Sequence, residues 1–446
     1  MEKGTGFGLL EALLISLGAT LPAGFFLMSG TAISRTGTLS LVSVIITSVL
    51  VCISGLCYFE LARFSGKDGS VYEYTRETFS PNTGFPCGLL WIGGLLSCAA
   101  SAAVLIASFY GFHPTNDASA IIGSAIIMLA VAFLSIKPRA SIKLLLIATT
   151  VSLISLAIFL SLGAKFISYS AAQQGTTSDI LFSAAIMFFA FLGFTRLTTI
   201  YNAIDSPIPT IKKAMYLTIG MFIVFYVILT FVISGLSSYV KSFPSAGVLI
   251  INPFYLEAEV LGSAALHGLF TLLATIALLI LIIVCILSAS RTVFSMGADN
   301  ELPITGKLSK KGVPINSLAL CCVILIGLTF VAKFSTLVDT MSASMLLAFA
   351  ISDISALNLW LKERKTKRAK GSLLENNLFP LLPIVGALGN IALFFSISTT
   401  GLTISLAILL IGGLYYTYGK VLIMPKGAIK VFKKSPKRSA IRAFER

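Results

Sequence analysis

GATLPAGFFLMSG, residues 18–30, interrupts a run of apolar residues that otherwise reads as one continuous membrane-crossing helix. Pro22 has no N–H to donate, and its ring crowds the carbonyl one turn earlier, so residues 18–21 are predicted to lose their helical pairing. Pro22 also suits the start of a fresh helix, where an N–H would be unpaired anyway. The N–H groups of Ala23, Gly24 and Phe25 are then predicted to point into the gap at the positive end of a half-helix dipole, a seat for a carboxylate. Carbonyls around Ala19 and Thr20 close the preceding half-helix and suit an ammonium group. A proline kink without any ligand explains the same residues equally well.

Around this stretch the rest of the chain is just as apolar. Its 446 residues are 56% hydrophobic and 11% charged, with a mean hydropathy of +0.95, outside the range of a soluble domain. A spanning helix needs about 20 apolar residues. Stretches of that kind fall at residues 8–33, 39–62, 85–112, 118–136, 142–164, 180–204, 213–239, 263–289, 315–335, 337–361, 379–397 and 402–424. The first is read as a retained span and not a removable signal peptide. The connections are short, so the prediction is an all-α integral membrane protein with about 12 crossings, a single transmembrane domain over 1–424 and a basic tail over 425–446.

Charge fixes the orientation. With both termini inside, 28 Lys and Arg fall on the inner side and 4 on the outer, namely Arg35, Lys165, Lys241 and Lys333, while Arg196 lies within a span. That asymmetry predicts cytoplasmic termini and an even number of crossings. The net charge of +15 is therefore assigned to topology and not to nucleic acid. The tail cluster of Lys426, Lys430, Lys433, Lys434, Lys437, Arg438 and Arg442 is also placed to touch anionic headgroups.

Metal, cofactor and enzyme chemistry find little support. The seven cysteines, Cys52, Cys57, Cys87, Cys98, Cys285, Cys321 and Cys322, sit almost entirely within spans without a CxxC pair. The two histidines, His113 and His267, lie in different connections, and no zinc-protease, nucleotide or dinucleotide motif is present. No metal and no cofactor is expected, and the intramembrane acids are too few for a membrane-embedded enzyme.

A second interruption lies in the sixth span, FFAFLGFTRLTTIYNAIDSP, residues 188–207. Gly193 permits a milder break there, flanked by Phe188, Phe189, Phe191 and Phe194. Two interrupted spans five helices apart are what an inverted-repeat carrier needs to hold a small ligand at the bilayer midplane. Taken alone, the aromatic cluster is more often core packing.

Four motifs in order carry a family resemblance over residues 8–424. They are GATLPAGFFLMSGTA (18–32), FELARFSGKDGSVYEYTRETF (59–79), the sixth-span stretch, and SRTVFSMGADNELP (290–303) with Gly312, Pro314 and Asn316. Together they resemble the amino acid–polyamine–organocation superfamily, in its amino acid permease branch. The resemblance implies a leucine-transporter-type fold, with inverted repeats at about 8–164 and 180–361 and two extra helices at about 379–424. It implies that Ala23 and Gly24, with Phe25 beside them, offer N–H groups to a substrate carboxylate. Carbonyls of Thr20, Phe189, Ala190 and Leu192, around Gly193, would take the amine, and Phe189 would gate the site.

The departures matter as well. Pro22 stands where the family has a break glycine. Thr195, Asn202 and Ala203 stand where relatives carry acids, and Thr149 and Thr150 where proton-coupled relatives carry a lysine. These point toward an exchanger (antiporter) or facilitated permease. Arg196 and Asp353 are intramembrane charges, each costing at least ~2.5–3.5 kcal/mol if unpaired. They are predicted to pair across the repeat interface, or else to snorkel separately. Glu60, Arg63 and Arg291, with Glu11, are candidates for an inner gate, although most such charges are solvated flanks. Ser288 and Ser290 sit where related folds hold sodium, but are expected to cap their own backbone.

The expected function is secondary transport of a small amino acid by alternating access, with a neutral substrate favoured over a cationic amino acid or polyamine. A non-transporting sensor or accessory subunit of the same fold is the alternative. The partners expected are the amino acid and the lipid bilayer, in a monomer or homodimer. The absence of Asn-x-Ser/Thr sites and the short loops suit a bacterial inner membrane.

Overall fold

In the computed structural model the described residues are 7–112, 117–136, 141–166, 175–240, 257, 261–302, 304–309, 313–366 and 378–419. The basic cluster from Lys426 onward and His113 lie outside them. Among the described residues every regular element is helical, apart from one isolated bridge pairing Phe7 with Ile204.

The first span is α1 (Leu9–Pro22), a π-helical turn (Ala23–Met28) and α2 (Ser29–Thr36). After it come α3 (Ser40–Ser65), a short α4 (Val71–Thr78), α5 (Pro81–Phe109), α6 (Asp117–Ile136) and α7 (Ser141–Gly163). The sixth stretch is α8 (Thr177–Met187), a 3₁₀ segment (Phe188–Phe194) and α9 (Thr195–Thr198). Then follow α10 (Pro207–Val240), α11 (Ala264–Ala298), α12 (Ile315–Val331), α13 (Phe334–Thr366), α14 (Leu381–Phe395) and α15 (Thr399–Leu414). Nine helical stretches among the described residues are long and apolar enough to cross a membrane. Three shorter apolar helices, 118–134, 315–331 and 381–395, stand where further crossings were expected. This is an integral, multi-pass membrane protein.

Local chemistry sets several of these boundaries. Ser70 and Glu73 form a capping box that opens α4, with the Ser70 N–H donating to Glu73 Oε2 at 2.7 Å. Ser80 caps α5 and Pro81 takes its first turn, where a missing N–H costs nothing. Small residues along α5, from Gly93 to Ala103, let α11 and α13 pack closely on it. The windows of the first, third and sixth spans are each 89% buried, against 17% for α15, so the irregular helices form the centre and α15 the rim. Leu129, Val323, Leu388 and Leu410 point outward from α6, α12, α14 and α15, an apolar exterior that suits lipid.

The first span corrects one expectation. Residues 18–21 stay in α1, and no loop opens at Pro22. The chain absorbs the missing N–H by widening the following turn, with the Ser29 N–H reaching back five residues to the Gly24 carbonyl. Helical pairing is restored at longer register, which in an apolar setting leaves fewer backbone groups exposed than an unwound loop. The sixth stretch does the opposite and tightens. Thr195 N–H reaches only the Leu192 and Gly193 carbonyls, at the end of seven 3₁₀ residues, a long run for that geometry.

Candidate functional site

The widened turn and the tightened segment lie against each other. Thr20 Oγ1 donates to the Ala190 carbonyl at 2.8 Å, tying α1 to the 3₁₀ segment. Gly193 makes this approach possible: a Cβ there would overlap the Ser16 carbonyl oxygen and come within 2.9 Å of Thr20 Oγ1. Thr149 Oγ1 on α7 donates to the Leu14 carbonyl at 2.6 Å, fastening the first span from its other side.

Beside this crossing lies a small cavity of ≈ 40 Å³. Ala19 and Thr20 line it from α1, Trp91 and Leu95 from α5, and Phe189 and Leu192 from the 3₁₀ segment. Thr195, Arg196 and Thr199 follow from the continuation of the sixth stretch, with Val284, Cys285 and Ser288 from α11. Arg196 is 4% exposed. Its Nη1 donates to Ser288 Oγ at 2.6 Å, while its buried Nε has no hydrogen-bond partner. Ser290 turns to its own backbone, donating to the Leu287 carbonyl at 3.0 Å.

Of the residues expected to hold substrate, Thr20, Phe189 and Leu192 meet at the cavity wall. Ala23, Gly24, Phe25, Ala190 and Gly193 are not on it. Gly24 backs onto α10, where a Cβ would run into Tyr226 Oη. Phe25 packs on Phe26 and Phe159 with ring centroids 4.9 and 5.6 Å away. The Ala190 carbonyl already accepts from Thr20, and the Leu192 carbonyl from Thr195 Oγ1 at 2.8 Å. Both glycines therefore serve close helix contact in this structure.

The expected Arg196–Asp353 pair is not formed. Arg196 faces α11, whereas Asp353 on α13 faces α3 and α14. Asp353 Oδ2 accepts from Ser54 Oγ at 2.8 Å and Asn390 Nδ2 at 2.9 Å. The gate candidates are also spread out. Glu11 caps α1 by accepting from the Gly8 N–H at 3.0 Å, and Glu60 meets Arg63 one turn along α3 at 3.7 Å. Arg291 sits one turn past Ser288 on α11.

A tighter polar cluster joins two of the sequence motifs. Arg76 on α4 contacts Asp299 at 2.8 Å and Glu301 at 3.1 Å, just beyond α11. Tyr72 Oη shares its single proton between Glu301 at 2.8 Å and Asp299 at 3.0 Å. Burial pushes the Tyr72 phenol well above its ordinary value, and the Glu301 and Asp299 charges add to the rise, so it stays a donor. The residues were visible in sequence, but nothing there joins position 76 to position 301. Nearby, Asn202 N–H donates to Asp68 Oδ1 at 2.7 Å and Gly69 N–H to the Thr198 carbonyl at 3.1 Å. The end of the sixth stretch is thus sewn to the α3–α4 connection.

A family model described as amino acid permease matches residues 7–419. An uncharacterized transporter of Mycobacterium tuberculosis (strain ATCC 25618 / H37Rv) is 23% identical over 423 residues, 93% of this chain and 91% of that protein. The methylthioribose transporter of Bacillus subtilis (strain 168) is 23% identical over 416 residues, 87% of each chain. The gamma-aminobutyric acid permease of the same bacterium is 24% identical over 397 residues, 83% of this chain and 82% of that one.

Proposed function

Because the chain belongs to the amino acid permease family of the amino acid–polyamine–organocation superfamily, we propose that it carries a small amino acid or close relative across a bilayer by alternating access. One observation carries the reading: a π-widened turn in the first span packs on a 3₁₀ segment in the sixth, with Thr20 of the adjoining α1 hydrogen-bonded to Ala190, beside a cavity. Departures from regular helix inside a membrane are tolerated where protein or a cavity takes up the freed groups. Elements with two accessible registers are also where a helix can bend as a bundle rocks.

On this reading the twelve helical stretches all cross, with the termini cytoplasmic, and residues 8–164 and 180–361 form two inverted repeats. The packing supports it, because neighbours come in exchanged sets. The first span contacts α7 and α10, and the sixth contacts α13 and α3, each the counterpart of the other; α5 with α13 mirrors α11 with α7. Ligand would sit against Thr20, Phe189 and Leu192, and the bonds joining Arg76 to Asp299 and Glu301 would close the cytoplasmic end. Among the described residues no acid lines the cavity, which disfavours a cationic amino acid or polyamine. Threonines replace the acid and lysine of proton-coupled relatives at 195 and 149, which favours exchange or facilitated movement.

Purified protein in proteoliposomes tests this with labelled amino acids, with and without unlabelled amino acid inside. Uptake should be accelerated by internal amino acid and indifferent to a proton gradient. Saturable binding without uptake under any gradient would leave the sensor reading in its place.

A further inference from the structure

The cavity wall is cationic, with no balancing carboxylate among the described residues. Its twelve lining residues include one charged group, Arg196, and no carboxylate. Among the described residues no carboxylate reaches the guanidinium within ion-pair distance. The next guanidinium, Arg291, is one helical turn from Ser288 on α11. A buried cation held by a single neutral hydroxyl is an expensive arrangement, and inside a membrane such charges mark substrate or ion pathways.

The threonines on the wall have committed their protons elsewhere. Thr20 Oγ1 gives its proton to the Ala190 carbonyl, Thr195 Oγ1 to the Leu192 carbonyl and Thr199 Oγ1 to the Arg196 carbonyl at 2.8 Å. Ser288 Oγ accepts from Arg196. The charged donor on the wall is the guanidinium, whose buried Nε has no hydrogen-bond partner; the Trp91 indole N–H is a neutral donor on the same wall. A planar guanidinium presents adjacent N–H groups in the geometry a carboxylate takes two at a time.

We infer that Arg196 is the anion subsite of this cavity and that the substrate is a small carboxylate of net negative charge, such as an acidic amino acid. This rests on the carrier reading above and narrows it. A zwitterion would leave the filled cavity with one net positive charge, whereas a monoanion leaves it neutral in a low-dielectric surrounding. Ser288 is a positioning residue: its hydroxyl holds Nη1 so that the remaining N–H groups face the open space. The same bond puts a cation where related folds seat sodium.

The test uses the full chain in proteoliposomes with labelled L-glutamate and L-aspartate against L-glutamine and L-asparagine, near-isosteres that differ by one charge. Wild type should take up the acids at least 10-fold faster than the amides at equal, sub-saturating concentration. Arg196→Gln should lose that preference, with acid uptake down 10-fold or more and amide uptake held or raised. Arg196→Lys should keep the preference at reduced rate, and Ser288→Ala should raise the KM for acids with little change in kcat. Thermal unfolding of detergent-purified wild type gives a readout independent of variant folding: the acids should raise Tm and the amides should not. Equal uptake of acids and amides, unchanged preference in Arg196→Gln, or equal stabilisation by both classes overturns the subsite and leaves a carrier of neutral amino acids. Failure to move any amino acid, neutral ones included, sinks the carrier reading instead.

Discussion

Replacing Gly193 by alanine is expected to strike the one contact on which the two irregular segments depend. The added methyl would collide with the Ser16 carbonyl oxygen and press within 2.9 Å of Thr20 Oγ1. Ser16 O is main chain, so relief requires α1 and the 3₁₀ segment to separate; a rotamer change cannot provide it. Overpacking of this kind costs ~1–3 kcal/mol. Stretching the Thr20–Ala190 hydrogen bond removes about 0.5–1.5 kcal/mol more. Alanine returns ~0.4–1 kcal/mol by restricting the unfolded chain, leaving a net loss of about 0.5–4 kcal/mol. Gly220 on α10 is the control, since a Cβ there meets nothing within 4 Å; Gly220→Ala should stabilise by ~0.5–1 kcal/mol. With an unfolding entropy of ~2.1 cal/mol/K per residue over 446 residues, each kcal/mol moves Tm by about 1 °C. That scaling comes from soluble proteins; membrane helices keep structure on heating, so real shifts should be larger. Intrinsic-fluorescence melting of both variants in one detergent provides the comparison. If Gly193→Ala melts at or above Gly220→Ala, the first and sixth spans do not cross this closely in the folded protein.

The same reasoning extends to three further sites. Gly24→Ala should destabilise by ~1–3 kcal/mol because its methyl meets Tyr226 Oη and lies 2.7 Å from Ala190 Cβ. Tyr226 Oη has no hydrogen-bond partner, so Tyr226→Phe alone should be nearly silent and should recover part of that loss in the double variant; a coupling below ~0.5 kcal/mol tells against the contact. Arg76→Ala should cost ~3 kcal/mol, the low end for breaking a buried pair because Arg76 is partly exposed, and Glu301→Gln in the same chain should restore much of it; additive losses in a double-mutant cycle contradict the network. Glu257, between α10 and α11, is buried, and burial pushes its carboxyl up to about 8 despite the opposing pull of Lys165. The folded chain therefore binds this proton more tightly than the unfolded one. The resulting stability is complete below the ordinary value of 4.5 and is lost as pH rises to about 8, with a slope of at most ~1.4 kcal/mol per pH unit. Tm measured from pH 5 to 8 should fall for wild type and fall less for Glu257→Gln; parallel curves refute the assignment.

The sequence alone determined that this chain lives in a bilayer, roughly where its helices run, and at which two places they depart from regularity. Those features are local: apolar length needs no partner to be read, and neither does a proline at 22 or a phenylalanine-rich glycine stretch at 188–194. Membership of the permease family was legible from motif order for the same reason. Tertiary structure decided what the irregular places became. Pro22 dictates only that the Gly18 carbonyl loses its usual donor. Whether the chain then unwinds or widens into a π turn depends on Tyr226, Phe159 and Ala190 packing around residues 23–28. The charges follow the same division. Sequence showed Arg196 and Asp353 to be costly and suggested that they meet. Their true neighbours, Ser288 and the Ser54–Asn390 pair, follow from which helices lie side by side. Periodicity within a span cannot report that, because the choice of partner is a property of how similar apolar rods pack.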